Sequence, residues 1–131
     1  MFIDTSVFIW AFRGNEKAIQ LLNETDELFI STVVYIELIQ GARNKQEVRA
    51  IDTTLAMLQV TIIDISEAIS LLATELVKTY FHSHSIELAD ALIGATALLH
   101  KRALITCNVK HFAPMPSLIV IPFNPTSLDE S

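Results

Sequence analysis

The stretch MFIDTSVFIWAF, residues 1–12, decides the fold because it runs from a short apolar strand directly into a helix. Residues 1–3 are apolar, and after Asp4 the apolar residues recur at the spacing of one helical face. We expect Thr5 or Ser6 to cap this helix, since hydroxyl side chains accept hydrogen bonds from free backbone N–H groups. A buried strand followed at once by a helix is typical of α/β proteins.

The same alternation continues along the rest of the chain. We predict further strands over residues 28–31, 60–63, 103–106 and 118–121, and further helices over residues 16–23, 32–41, 45–57, 66–81 and 85–100. Parallel neighbours in a sheet require crossover connections of this length. We therefore expect an α/β fold with a short, mainly parallel central sheet of four or five strands flanked by helices. It would form one domain over residues 1–123, followed by a polar C-terminal tail over residues 124–131.

Composition and charge restrict the classes of protein to which the chain can belong. Hydrophobic residues make up 51% of its 131 residues, but charged residues divide every apolar run well below the roughly 18–20 residues that cross a bilayer. Asp4 interrupts the first apolar run, which argues against a signal peptide. Cys107 is the only cysteine, so neither an intrachain disulfide nor a cysteine zinc site is expected. These features predict a cytoplasmic protein with no membrane association.

Three acids stand in apolar surroundings: Asp4 after residues 1–3, Glu37 within TVVYIELI and Asp90 within LADALI. A carboxylate in such surroundings costs several kcal/mol unless a cation or strong donors compensate it. We therefore predict that the three acids share one or two bound Mg²⁺ or Mn²⁺ ions, which prefer oxygen ligands. The alternatives are an N-cap role for Asp4, a buried ion pair of Glu37, for which Arg43 is the first basic residue that follows, and an ordinary helix-surface position for Asp90.

The positions of these acids predict that they meet in one pocket. Asp4 lies at the carboxyl end of the first strand, where open α/β sheets bind ligands, and Asn108 lies just beyond Thr106, the end of a later strand. Glu37 and Asp90 are each followed four residues later by glycine, which lies on the same helical face. We expect these glycines to leave room for a backbone, a metal or a phosphate. Such a pocket suits metal-dependent hydrolysis of a phosphodiester.

Four segments together resemble PIN domains: FIDTSV (2–7), STVVYIELIQGA (31–42), LADALIGATAL (88–98) and LITCNVKHF (104–112). Their order and spacing match over most of the chain, and the chain is most similar to the small VapC-type toxins. The resemblance implies a three-layer PIN-like fold and a Mg²⁺-dependent endoribonuclease that acts on structured RNA such as tRNA. It also implies a homodimer that a cognate antitoxin protein holds inactive.

The resemblance assigns roles to individual residues. Asp4, Glu37 and Asp90 fall on the acidic metal-site positions, with Asn108 as a fourth catalytic residue that is often aspartate in the family. Further residues would support the site: the hydroxyls of Thr5, Ser6 and Thr106. Because Asn108 is neutral and His111 stands where relatives often have an acid, the number of catalytic metals stays open. A role for His111 or for Glu87, near the start of the same predicted helix as Asp90, also stays open.

The charge balance and the motifs indicate how the chain would bind RNA and which other functions remain. The formal net charge of −6, from 15 acidic and 9 basic side chains, argues against general electrostatic capture of nucleic acid. Local basic residues must then contact the RNA, and Arg43 and Lys110 are the predicted phosphate contacts. A phosphatase of the haloacid type would place a second aspartate where this chain has Ser6. A catalytically weak PIN-fold interaction module and a DNA-directed nuclease of the same fold remain as alternatives.

Overall fold

A computed structural model describes residues 1–83 and 86–126 of the chain. Its five strands are β1 (Phe2–Ile3), β2 (Phe29–Ser31), β3 (Thr61–Ile63), β4 (Leu104–Thr106) and β5 (Val120–Pro122). Its helices are α1 (Thr5–Phe12), α2 (Glu16–Glu24), α3 (Thr32–Gln40), α4 (Lys45–Met57), α5 (Glu67–Tyr80), α6 (Leu88–Leu99) and α7 (Val109–Phe112). The strands form one sheet in the order β3-β2-β1-β4-β5, and all its pairings are parallel. The predicted α/β fold is therefore confirmed.

The shortest strand, β1, lies at the centre of the sheet. Phe2 pairs with Phe29 of β2 on one side and with Leu104 of β4 on the other, while Ile3 pairs with Ile105. The residues of β1 and β4 are fully or almost fully buried, as expected for a parallel sheet covered on both faces. The chain moves outward from β1 to β3 and then returns to β4 on the other side of β1. Such a reversal opens a crevice at the carboxyl ends of β1 and β4, and Asp4 and Thr106 lie there.

The start of α6 and the segment after β4 differ from the sequence prediction, while several other elements shift by one or two residues. The predicted helix over residues 85–100 begins at Leu88 in the structure, because Ile86 and Glu87 are not helical and Glu87 has the extended backbone of an N-cap residue. Ser85 itself lies outside the described residues. The segment predicted as a loop after Thr106 contains the short helix α7, which the fully buried Phe112 anchors to the core.

The end of the described chain contacts the start of α2. Asn15 Nδ2 donates a hydrogen bond of 3.0 Å to the carbonyl of Pro125, and Lys17 Nζ lies 3.1 Å from the carbonyl of Asn124. The remainder of the predicted polar tail, residues 127–131, lies outside the described residues. Within residues 1–83 and 86–126, the helices are all too short or too polar to cross a bilayer.

Candidate active site

Asp4 stands at the N-cap position of α1, but its carboxylate does not cap the helix. Instead Oδ2 accepts a hydrogen bond of 2.6 Å from Thr106 Oγ1 and one of 3.1 Å from Ser6 Oγ. The expectation that Thr5 or Ser6 caps α1 is therefore wrong, because both residues lie inside the helix and their hydroxyls bind acids. The simple capping alternative for Asp4 also fails, since its side chain makes no bond to the backbone N–H groups of α1.

The two hydroxyls that bind Asp4 also hold the segment after β4. Ser6 Oγ accepts the backbone N–H of Cys107 at 3.1 Å, and Thr106 Oγ1 accepts that of Asn108 at 2.9 Å. Asp4 is only 5% exposed, and its Oδ1 accepts no hydrogen bond from the described residues. No buried side-chain oxygen of the described residues is left without a partner, so Oδ1 retains contact with solvent. One oxygen of Asp4 is thus held by protein, and the other is available to a ligand.

Glu37 reaches the site from the middle of α3, and its side chain is half-buried. Its Oε1 accepts a hydrogen bond from Thr5 Oγ1. Arg43 forms an exposed ion pair of 2.7 Å with Glu47 instead of the buried pair considered for Glu37. The hydroxyl residue that follows the first acid therefore orients the second acid.

Asp90 lies in the first turn of α6, and its Oδ2 is 3.2 Å from Nδ1 of His111 on α7. The pKa of Asp90 is raised to about 6, chiefly by burial; His111 lowers it, and the negative charges of Asp4, Glu37 and Glu87 contribute to the rise. Repulsion by Asp4 and Glu37 means that the three predicted acids lie close enough to share one electrostatic field. The structure thus brings them to the same region.

The donors suit a hard divalent ion, although the described residues do not form a ready-made cage. No group of three His, Cys, Asp or Glu side chains in residues 1–83 and 86–126 is close enough to hold a metal ion as it stands. The acids nevertheless supply oxygen donors and negative charge, and Asp4 Oδ1 accepts no hydrogen bond from the part of the chain that the structure describes. An ion that keeps part of its water shell, as Mg²⁺ does, fits such a set.

The glycines that follow Glu37 and Asp90 do not leave the open space that the sequence suggested. A Cβ atom on Gly94 would overlap with Met115 Sδ, so a protein side chain occupies that space instead of a metal or phosphate. Gly41 ends α3, and the nearest atoms to a Cβ there would be its own helix carbonyls at 3.6 Å. Gly94 therefore serves helix packing, and sequence reasoning missed Met115 because residue spacing on α6 does not reveal what packs against it.

Basic residues line the approach to Glu37. A cavity of about 590 Å³ between α1, α3 and α4 is lined by Arg13, Arg43, Glu37 and apolar residues that include Ile9 and Phe12. Asn108 and Lys110 are exposed at α7. The structure thus places Arg43 near Glu37 and Lys110 beside His111. The position of Arg13 in this cavity depends on how α1 packs, which the sequence does not specify.

Comparison with known proteins agrees with this arrangement. Residues 1–114 match the PIN domain family. The chain is 32% identical over 121 residues to Ribonuclease VapC19 of Mycobacterium tuberculosis, an alignment that covers 88% of this chain and 94% of the relative. PIN-domain ribonucleases generally depend on a divalent metal.

Solved structures show the same similarity. A toxin-antitoxin complex from Klebsiella pneumoniae matches with a TM-score of 0.78 and 31% identity, over 97% of this chain and 98% of that one. VapBC-1 from nontypeable Haemophilus influenzae matches with a TM-score of 0.75 and 27% identity, over 92% of this chain and 96% of that one. The resemblance inferred from the four sequence segments is confirmed, and the chain belongs to the PIN domain family.

Proposed function

We propose that this protein is a Mg²⁺-dependent endoribonuclease, with Mn²⁺ as a possible substitute, and the toxin of a toxin–antitoxin pair in the cytoplasm. The observation that carries the proposal is the state of Asp4, which is almost fully buried, held at Oδ2 by Thr106 and Ser6, and open at Oδ1. Glu37 and Asp90 face the same region. The similarity to a VapC ribonuclease supports the choice of RNA as substrate.

Each residue of the site has a separate task. Asp4, Glu37 and Asp90 hold the ion, which when bound lowers the pKa of the attacking water and stabilises charge on the phosphate oxygens. Thr106 and Ser6 fix the direction of Asp4, and Thr5 fixes that of Glu37. Asn108, whose backbone is held by Thr106, orients the water or the scissile phosphate with its exposed amide.

The decisive experiment is cleavage of total RNA and of single-stranded DNA in Mg²⁺ by the wild type, Asp4→Asn and Asp90→Asn, with the exposed Asp26→Asn as control. We expect wild type and the control to cut RNA, and the two site variants to lose at least about 100-fold of that activity. Equal activity in all four proteins would reject the site. Equal cleavage of DNA would favour a DNA-directed nuclease, and no metal-dependent cleavage would favour an interaction module.

The cavity beside Glu37 suits a segment of the antitoxin. Ile9 and Phe12 line it and are 39% and 42% exposed, so they offer an apolar surface that ends at an acid. An antitoxin segment with apolar side chains and one basic residue would cover this surface and neutralise Glu37. Phe12→Asp should abolish co-purification with the antitoxin, whereas Met57→Asp, at a methionine at the end of α4 that is 79% exposed and lies outside this cavity, should not. Loss of the complex in both variants would count against this location.

A homodimer is proposed because large apolar side chains remain exposed outside that cavity. Leu71, Leu88 and Ile119 are 63%, 74% and 66% exposed. Patches of this kind often mark protein interfaces. Light scattering on the purified toxin should give twice the 14.6 kDa mass of one chain, and a monomeric mass at micromolar concentration would contradict the dimer.

A further inference from the structure

His111 contacts Asp90: its Nδ1 lies 3.2 Å from Asp90 Oδ2. Its backbone N–H donates a hydrogen bond of 3.0 Å to the carbonyl of Asn108. Residues three apart on a helical turn lie on the same side of it. His111 and Asn108 therefore lie on the same side of α7, and His111 contacts the acid.

The core fixes the position of His111. The next residue, Phe112, is fully buried, and Met115 packs into the space left by Gly94, one turn beyond Asp90 on α6. The imidazole itself is 53% exposed and so remains open to an ion from solvent, whereas Asp90 is 15% exposed. A nitrogen donor and a carboxylate are thus presented together by two helices that pack against each other.

We propose that His111 is a metal ligand beside Asp90 and that it makes this site prefer Mn²⁺ over Mg²⁺. The inference deepens the proposed function and rests on its metal site. Both ions prefer oxygen ligands, but Mn²⁺, a first-row transition metal, accepts an imidazole nitrogen more readily than Mg²⁺ does. A nitrogen ligand from His111 in place of an oxygen ligand should therefore lower the affinity for Mn²⁺ little and the affinity for Mg²⁺ more. The alternative is a simple ion pair between His111 and Asp90, in which no nitrogen binds the ion.

Electron paramagnetic resonance on the Mn²⁺-loaded protein distinguishes these two cases. Pulsed measurements detect the magnetic coupling of a directly bound ¹⁴N nucleus to Mn²⁺. We expect this coupling in the wild type and in His100→Gln, and its loss in His111→Gln. His100 is a suitable control because it follows α6 at the other end, about 15 Å from Asp90 along the helix axis.

Affinities measured by calorimetry provide the second readout. His111→Gln should weaken Mn²⁺ binding about 10–100-fold, as loss of a ligand or its support does, and change Mg²⁺ binding less than about threefold. His111→Asp should restore an oxygen ligand and bring the two affinities closer together. Absence of ¹⁴N coupling in the wild type, or equal losses for both ions in His111→Gln, would overturn the proposal.

The outcomes also separate this proposal from the nuclease itself. Mg²⁺-dependent RNA cleavage without ¹⁴N coupling rejects the role of His111 and leaves the proposed function intact. Nitrogen coupling without RNA cleavage in either metal supports the ligand and rejects the ribonuclease. If neither Mn²⁺ nor Mg²⁺ binds the wild type, the metal site and the role of His111 are both wrong.

Discussion

Thr106 Oγ1 donates a 2.6 Å hydrogen bond to Asp4 Oδ2, although the two residues are 102 positions apart in the chain. They meet because β1 and β4 are adjacent parallel strands that end at the same edge of the sheet. The same hydroxyl oxygen accepts the N–H of Asn108. One buried threonine thus sets the direction of the first acid and the path of the chain toward the fourth predicted catalytic residue.

Replacing this hydroxyl should affect stability and catalysis together. Thr106→Val keeps the shape of the side chain but removes the shorter of the two hydrogen bonds to Asp4 Oδ2, leaving that from Ser6, and leaves the Asn108 N–H without this acceptor. We expect a loss of about 1–3 kcal/mol in the free energy of unfolding and of at least about tenfold in kcat. Urea denaturation and RNA cleavage measure these two quantities. Thr96→Val is the matched control, since Thr96 is equally buried but binds only the carbonyl of Leu92 in its own helix; a similar kcat loss there would contradict the assignment.

Asp90 should make the metal-free protein less stable above pH 6. Its pKa is raised to about 6 when folded, chiefly by burial, so the folded state binds the proton more tightly than the unfolded state. Stability therefore falls as pH rises from about 4 to about 6 and stays lower above that range. Asp90→Asn should raise the free energy of unfolding by about 1–2 kcal/mol at pH 7.5, after allowance for solvent screening, and by nearly nothing at pH 4. Urea denaturation in EDTA measures both values, and an equal gain at the two pH values would contradict this account.

Metal affinity should rise with pH, whereas the stability of the metal-free protein falls. The carboxylate must be ionised to bind an ion, so affinity should decline as pH falls through about 6. Calorimetric titrations with Mn²⁺ at pH 5.0 and 7.5 measure this difference. We expect a loss of about tenfold at the lower pH, since one pKa unit corresponds to a tenfold change. An affinity that is the same at both values would exclude Asp90 as a ligand.

The effect of Gly94→Ala should change sign with the residue at position 115. With Met115 present, the new methyl group overlaps with its sulfur, and we expect a net loss of about 1–2 kcal/mol in the free energy of unfolding. In a Met115→Ala background the overlap disappears, and the better helix propensity of alanine should give a gain of up to about 1 kcal/mol. A double-mutant cycle by urea denaturation measures the coupling. Equal effects in both backgrounds would show that Met115 does not fill this space.

Arg43 and Lys110 should contribute to RNA affinity through charge. In an inactive Asp4→Asn background, the double substitution Arg43→Ala and Lys110→Ala should weaken RNA binding. It should also make the slope of log affinity against log salt concentration shallower, by the equivalent of up to about two phosphate contacts. Arg43 must leave its exposed pair with Glu47 to do so. Lys78→Ala with Lys101→Ala removes the same charge at other exposed positions and is the control. Unchanged affinity at low salt in the first variant would remove both residues from the RNA interface.

The sequence predicted the parts of the fold that depend on local pattern. Lys45–Met57 was predicted at its observed boundaries because its apolar spacing is regular, and the predicted start of α5 at residue 66 coincides with its N-cap, Ser66. The position of Asp4 at the end of β1 could be predicted from the apolar run before it alone. The short helix α7 was missed because four residues give no periodic pattern, and its stability comes from burial of Phe112.

Contacts between distant segments were beyond the sequence argument. The pairing of Thr106 with Asp4 depends on β4 lying beside β1, and strand order is not encoded in residue spacing. The contact of His111 with Asp90 depends in turn on how α7 packs against α6. The acids could be identified from the apolar sequence around them, whereas the residues that contact them could be identified only from the folded structure.

The separation between Asp4 and Thr106 also has a consequence for synthesis of the protein. A ribosome that adds about 5–20 residues per second needs roughly 5–20 s to pass from the first of these residues to the second. During that interval the nascent chain carries Asp4 and later Glu37, but β1 lacks β4, one of its two neighbours in the sheet. A growing chain therefore cannot assemble the complete site until β4 has been synthesised.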